Sequence, residues 1–102
     1  MINSVVVSYS VRPEAVDEHV RLIEGVFAQL DAEHRTDLEY KVLRLADGVS
    51  FVHVSTAHTP DGASPLTGLE SFREFSRDLA SRVATRPNPT AAEIVGAYHP
   101  AG

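Results

Sequence analysis

The sequence contains no cysteine and no tryptophan, and only one methionine. Without cysteine there can be no disulfide framework, thiolate nucleophile or cysteine-ligated metal. Without tryptophan, three tyrosines and four phenylalanines offer little for a base-stacking platform. No stretch approaches the roughly 20 apolar residues that span a bilayer. The opening MINSVVVSYSVRPE lacks a basic n-region, and its apolar run is too short for a secretory core. Positive charge is also scarce: nine Lys and Arg stand against 14 Asp and Glu, a formal net charge of −5, and the basic residues are scattered. A phosphate-tracking surface is therefore not expected. Phosphate-cradling G-x-x-x-x-G-K-[ST] and G-x-G-x-x-G are absent, as are a G-x-S-x-G elbow and the H-E-x-x-H, H-x-x-E-H and H-x-H metal spacings. These absences lead to the expectation of a cytoplasmic protein with no nucleic-acid partner, no membrane partner and no bound metal.

What is present is the composition of an ordinary globular domain: 102 residues, 43% apolar and 23% charged. One domain over 1–102 is expected, with a modest core for a lone chain. Residues 3–11 alternate, with Val5, Val7, Tyr9 and Val11 on one face, and read as a strand. Pro13 suits a first helical position, and Val16, Val20, Ile23, Phe27 and Leu30 form a stripe on a helix running to about His34. Residues 38–46 and 49–57 read as two strands joined by a two-residue Asp47-Gly48 turn of type I′. The polar loop HTPDGASPL follows. Thr67 and Glu70 have capping-box spacing at the start of a second helix, whose stripe is Leu69, Phe72, Phe75, Leu79 and Val83. Pro87 and Pro89 end that helix, and 91–99 read as a last strand.

The order βαββαβ predicts an α+β, ferredoxin-like fold: an antiparallel four-stranded sheet with both helices on one face. Pairing Ala46 with Val49 puts Tyr40, Val42, Arg44, Phe51, His53 and Ser55 on one hairpin face. Lys41, Leu43, Leu45, Val52, Val54 and Thr56 then share the other. Helices can cover only one of these faces. The uncovered face is apolar enough to predict a homodimer, two sheets packed face to face.

In this pattern the chain resembles the dimeric α/β-barrel superfamily, and within it the antibiotic-biosynthesis-monooxygenase-like proteins. The resemblance lies in the opening strand SVVVSYSV, the helix PEAVDEHVRLIEGVFAQL, the hairpin around LADGVSFVHVST, and the helix LESFREFSRDL before EIVGAYH. It implies a dimeric α/β barrel, often with a pocket between sheet and helices. Its members include cofactor-independent oxygenases of polycyclic aromatic substrates, haem-degrading enzymes and small-molecule isomerases. The tryptophan that many members carry around the third strand is missing, and the loop into the second helix is longer. Asn3 stands near the asparagine of the haem-degrading branch's Asn–Trp–His set. The tryptophan and a second-helix histidine are lacking, so haem-binding roles are not carried over.

His53 is the first candidate for chemistry. It lies mid-strand on a face with Tyr40 and Arg44, where an imidazole's pKa can be moved across neutrality. The alternative is a histidine held structurally by a neighbouring hydroxyl or backbone group. Tyr9, Tyr40 and Tyr98 offer phenols to orient a substrate, or are core aromatics with a polar tip. Arg44 offers a guanidinium for a negative charge, or is a strand arginine with its head in water. His58, five residues from His53, points to the other face and reads as a solvated strand-end residue. His19 reads as lying on the polar side of the first helix, His34 at its end, and His99 at the rim. Gly25 suggests a close approach within the first helix, and Gly96 a bulge in the last strand.

These features lead to a leading expectation and two alternatives. The first is a small, cofactor-independent monooxygenase acting on an apolar, aromatic molecule. In it the substrate anion meets oxygen directly, His53 accepts the proton, Tyr9 or Tyr40 orients, and Arg44 stabilises charge. The alternatives are a non-catalytic dimeric module that binds a small ligand or merely packs, and a proton-transfer isomerase.

Overall fold

The computed structural model describes residues 4–98. Strand β1 (Ser4–Ser10) leads through a single 3-10 turn at Pro13–Ala15 into helix α1 (Val16–Glu33). Strands β2 (Leu38–Arg44) and β3 (Ser50–Ala57) form the hairpin. A second 3-10 turn, Pro65–Gly68, precedes α2 (Glu70–Arg77), α3 (Leu79–Arg82) and β4 (Asn88–Ala92). The sheet order is β2-β3-β1-β4, with every pairing antiparallel, which is the predicted ferredoxin-like topology.

The register also matches the prediction. Arg44 faces Phe51 and Val42 faces His53, while β1 aligns Val7 with His53 and Tyr9 with Phe51. The turn that sets this register is different from the one predicted. Gly48 donates its N–H to the Leu45 carbonyl at 2.9 Å, and Gly48 has φ +80° whereas Asp47 does not have a positive φ. A type I′ turn needs positive φ at both central residues. Asp47 instead spends its carboxylate on the loop, accepting from the N–H groups of Val49 at 3.0 Å and Ser50 at 2.9 Å.

Four other expectations are corrected. Thr67 and Glu70 make no capping box. Thr67 donates to the Ser64 carbonyl, and the Ser64 hydroxyl accepts from Leu66 N–H to cap the 3-10 turn. The second helix breaks at Asp78, separating α2 from α3. No atom beyond its own helix and chain neighbours lies within 4 Å of where a Cβ at Gly25 would stand, so no close approach explains it. The last strand ends at Ala92, leaving Gly96 and Tyr98 outside the sheet with no bulge there. His99 and Asn3 lie outside the described residues.

The core sits between the sheet and the helices and is built from Tyr9, Val11, Val16, Ile23, Val26, Phe51, Leu66, Leu69 and Phe75. Along α1 the fully sequestered positions are Val16, His19, Ile23 and Val26, while Val20, Phe27 and Leu30 are half-buried at its flank. The seam is therefore rotated from the predicted stripe, and His19 lies at its centre, 0% exposed. His34 ends α1 as a left-handed cap with φ 50°, and its backbone N–H returns to Asp31 O at 3.2 Å.

Candidate functional site

Alternation along the sheet places Tyr9, His53 and Tyr40 on the helix-facing side, in β1, β3 and β2. Their polar tips meet. Tyr9 Oη lies 2.6 Å from His53 Nε2, and Tyr40 Oη lies 2.7 Å from His53 Nδ1. Tyr9 Oη also lies 2.6 Å from His19 Nε2. On the far side of His19, Arg82 Nε donates to Nδ1 at 3.1 Å. Five side chains from five elements thus form one unbranched line: Arg82, His19, Tyr9, His53, Tyr40.

The line runs through an aromatic enclosure. The Phe75 ring lies 5.2 Å from His19 and 5.7 Å from His53, and Phe51 lies 4.8 Å from His19. Tyr9 stacks on Phe51 at 6.1 Å. Arg82 is 4% exposed. Its Nη2 donates to the Phe75 carbonyl, and its guanidinium lies 5.3 Å above the Phe75 ring. Among the described residues no carboxylate stands within ion-pair distance of it. A buried cation without an anion is costly and is retained only where other groups hold it. Here those groups are a carbonyl, an imidazole nitrogen and a ring face.

Burial sets the titration of these groups. Desolvation lowers His53 to about 4. Desolvation, then the charge of Arg82 and the neighbouring His53, lowers His19 to about 4. Both imidazoles are therefore neutral near pH 7. Desolvation pushes the Tyr9 and Tyr40 phenols well above the ordinary tyrosine range, with the Tyr9–Tyr40 interaction adding to the rise at Tyr9.

Beside the Tyr40 end an open recess of about 190 Å³ is lined by Val20, Ile23, Phe27, Val42, Arg44 and Phe51. Phe27 stacks on Tyr40 with ring centres 5.1 Å apart and planes 12° from parallel. Cavities of about 150 Å³ hold one benzene ring, whereas drug-sized ligands occupy roughly 300–1,000 Å³. The recess therefore suits one or two fused rings.

Of the four site residues expected from the sequence, His53, Tyr9 and Tyr40 come together. Arg44 does not join them. It is exposed at the recess wall, and its Nε donates to the Gly48 carbonyl at 2.9 Å. His58 pairs with Glu39 at 2.6 Å on the surface. Tyr98 stands 88% exposed. Among the described residues, no group of three or more His, Asp or Glu is placed to hold a metal ion. Two members of the line escaped the sequence reading. The signal for His19 was the 3-4-3 spacing Val16, His19, Ile23, Val26, a seam as regular as the one predicted. For Arg82 the sequence carries no local signal.

No family model matches the chain, and no curated protein matches it. Solved structures do. Rv0793 from Mycobacterium tuberculosis is 14% identical over 94% of this chain and 97% of its own, with a TM-score of 0.74. An antibiotic biosynthesis monooxygenase is 14% identical over 91% and 98%, also with a TM-score of 0.74. A protein from Nitrosomonas europaea, which carries that same name provisionally, is 15% identical over 91% and 98%, with a TM-score of 0.76. At such identities the likeness concerns the fold. The chain has the α+β, ferredoxin-like fold of the antibiotic-biosynthesis-monooxygenase-like proteins.

Proposed function

We propose that the chain binds a small aromatic molecule in the recess between α1 and the sheet and oxidises it as a cofactor-independent monooxygenase, working in the cytoplasm as a homodimer. The observation that carries this reading is the Tyr9–His53–Tyr40 line, whose last ring stacks on Phe27, a wall of the neighbouring recess. Packing alone does not call for five polar groups in a core, and groups with perturbed titration gather at functional sites. The monooxygenase names borne by neighbours of this fold add support at the level of analogy.

In this reading His53 acts as a positioning group rather than as the free proton acceptor expected from the sequence. Both its nitrogens are engaged. Burial holds the His53 imidazole well below its usual range, which disfavours full transfer of a phenolic proton to it. His53 instead holds Tyr40, and Tyr40 orients the oxygen of the substrate. The phenolic proton leaves to solvent water at the open recess, and Arg44 at its wall supplies positive charge to the substrate anion; one atom of dioxygen then adds to the ring, which loses two hydrogens to become a quinone, and the other atom leaves as water.

The dimer rests on the sheet face that the helices leave open. Leu43 and Leu45 on that side are 48% and 45% exposed, and Ile94, which lines a recess with Val54 and Thr56, is 52% exposed.

Oxygen uptake with a series of one- and two-ring phenols, measured by electrode, tests the reaction. Uptake in the unaltered protein and its loss in His53→Ala, with the assembly unchanged by sedimentation, is the expected pattern. Binding without uptake would move the protein to the ligand-binding class, and uptake untouched by His53→Ala would remove the site.

A further inference from the structure

We propose that Arg82 is a positioning residue: as the one donor-only member of the line, it gives every hydrogen bond from His19 to Tyr40 the same sense and leaves the Tyr40 phenolic hydrogen free for a partner outside the line.

Arginine has N–H groups and no acceptor. Its Nε–H therefore requires a bare Nδ1 on His19. A neutral His19 then carries its hydrogen on Nε2, which donates to Tyr9 Oη. Tyr9 has one hydrogen of its own. Among the described residues the two imidazole nitrogens are the partners of its hydroxyl, and that of His19 is already a donor. Tyr9 must donate to His53 Nε2. His53 is left with its hydrogen on Nδ1, donating to Tyr40 Oη. Tyr40, now an acceptor within the line, keeps its own hydrogen for something outside it.

The opposite sense fails at Tyr9. If Tyr40 donated inward, His53 and His19 would both donate to Tyr9, and the Tyr9 hydrogen would be buried with no acceptor. Without Arg82 that obstacle disappears, because His19 could take its hydrogen on Nδ1 and the whole line could reverse. Arg82 thus fixes the sense of the network while standing four hydrogen bonds away from Tyr40. Its burial without a carboxylate partner is accounted for in the same way: a carboxylate there would hold the guanidinium without setting anything further along.

This inference rests on the proposed ligand site for its meaning and names the substrate class that the site takes. A presented phenolic hydrogen recognises an acceptor oxygen, such as an aryl ketone, a quinone or a phenolate, and does not serve a cationic amine. Hydrogen bonding to the charged form favours that form, so the same hydrogen helps a phenol to ionise in the recess.

The test reads the tautomers directly, by long-range nitrogen–proton NMR correlation on uniformly labelled protein at neutral pH without any ligand. His19 is expected with its hydrogen on Nε2, and His53 with its hydrogen on Nδ1. Arg82→Met should leave both residues as tautomer mixtures. Tyr9→Phe, which should fold even where Arg82→Met does not, should leave His19 fixed and free His53 alone. A hydrogen on Nε2 of His53 in the unaltered protein overturns the proposal. So does an unchanged His53 in either variant. Because no substrate is present, a protein that consumes no oxygen would sink the functional reading and leave this one standing.

Discussion

A neutral imidazole sealed in a core is a liability in acid. The ordinary value for histidine is 6.5, and His19 and His53 are lowered to about 4 by burial. The unfolded chain therefore takes up protons below about 6.5 that the folded chain refuses until about 4. The corresponding stability is complete above pH 6.5 and is lost as the pH falls toward 4, by about 3 kcal/mol for each imidazole. One such loss is already a large fraction of the 5–15 kcal/mol that typically holds a domain. Urea titrations at pH 7 and pH 4.5 should show this loss, with a shallower slope in His53→Gln. A slope unaffected by that change would mean that the imidazole is not sealed. At the other end of the line, Tyr40→Phe should weaken binding of an aryl ketone about fivefold, the loss of about 1 kcal/mol. Its affinity for the parent hydrocarbon should stay the same, as fluorescence titration would show. His53, Tyr9 and Tyr40 were legible in the sequence because a period of two fixes the face of every strand residue once one pair is known. Arg82 was not, because a terminal arginine normally complements the helix end in water, and nothing local says that its head turns inward.

Elements were easier to read than the seams between them. The four strands and the long helix follow from alternation and from apolar spacing, and their ends fall within a few residues of the predicted ones except in β4. Helix α1 shows why a seam is harder. Its sequence offers two stripes, through Val20 and Phe27 or through His19 and Val26, which differ by a small rotation about the axis. Hydrophobicity favours the first, and the tertiary hydrogen bonds of His19 select the second. The hairpin shows the reverse case, in which a wrong turn type still gave the right register, because Asp47 and Gly48 occupy the loop in either geometry. Gly25 yields a prediction at this scale. It is helical, exposed and free of contact at the place of a Cβ. Gly25→Ala should therefore stabilise the protein by about 0.5–1 kcal/mol, seen as a higher urea midpoint. A destabilised variant would reveal a neighbour packed against that position.

At the scale of the molecule, the sheet has one face under helices and one that the helices leave uncovered, flanked in part by Ile94, Gly96 and Ala97. Leu43, nearly half exposed on the open side, separates two outcomes. In a lone chain, Leu43→Lys should change stability by less than about 0.5 kcal/mol, as surface substitutions do. In a face-to-face dimer it should split the assembly, read by sedimentation at micromolar concentration. An unaltered sedimentation coefficient at the dimer value would place the contact elsewhere. The sheet order has a further consequence, for the birth of the chain. Strand β1 lies in the interior of the sheet, and one of its flanks is filled by β4, with Ser4 opposite Ala92. A ribosome delivers β4 only after α1, β2, β3 and both later helices, long after β1. Until β4 emerges, β1 carries an unsatisfied edge, and such edges invite pairing with other nascent polypeptides. The serines that punctuate it, Ser4, Ser8 and Ser10, keep that waiting segment from being uniformly greasy.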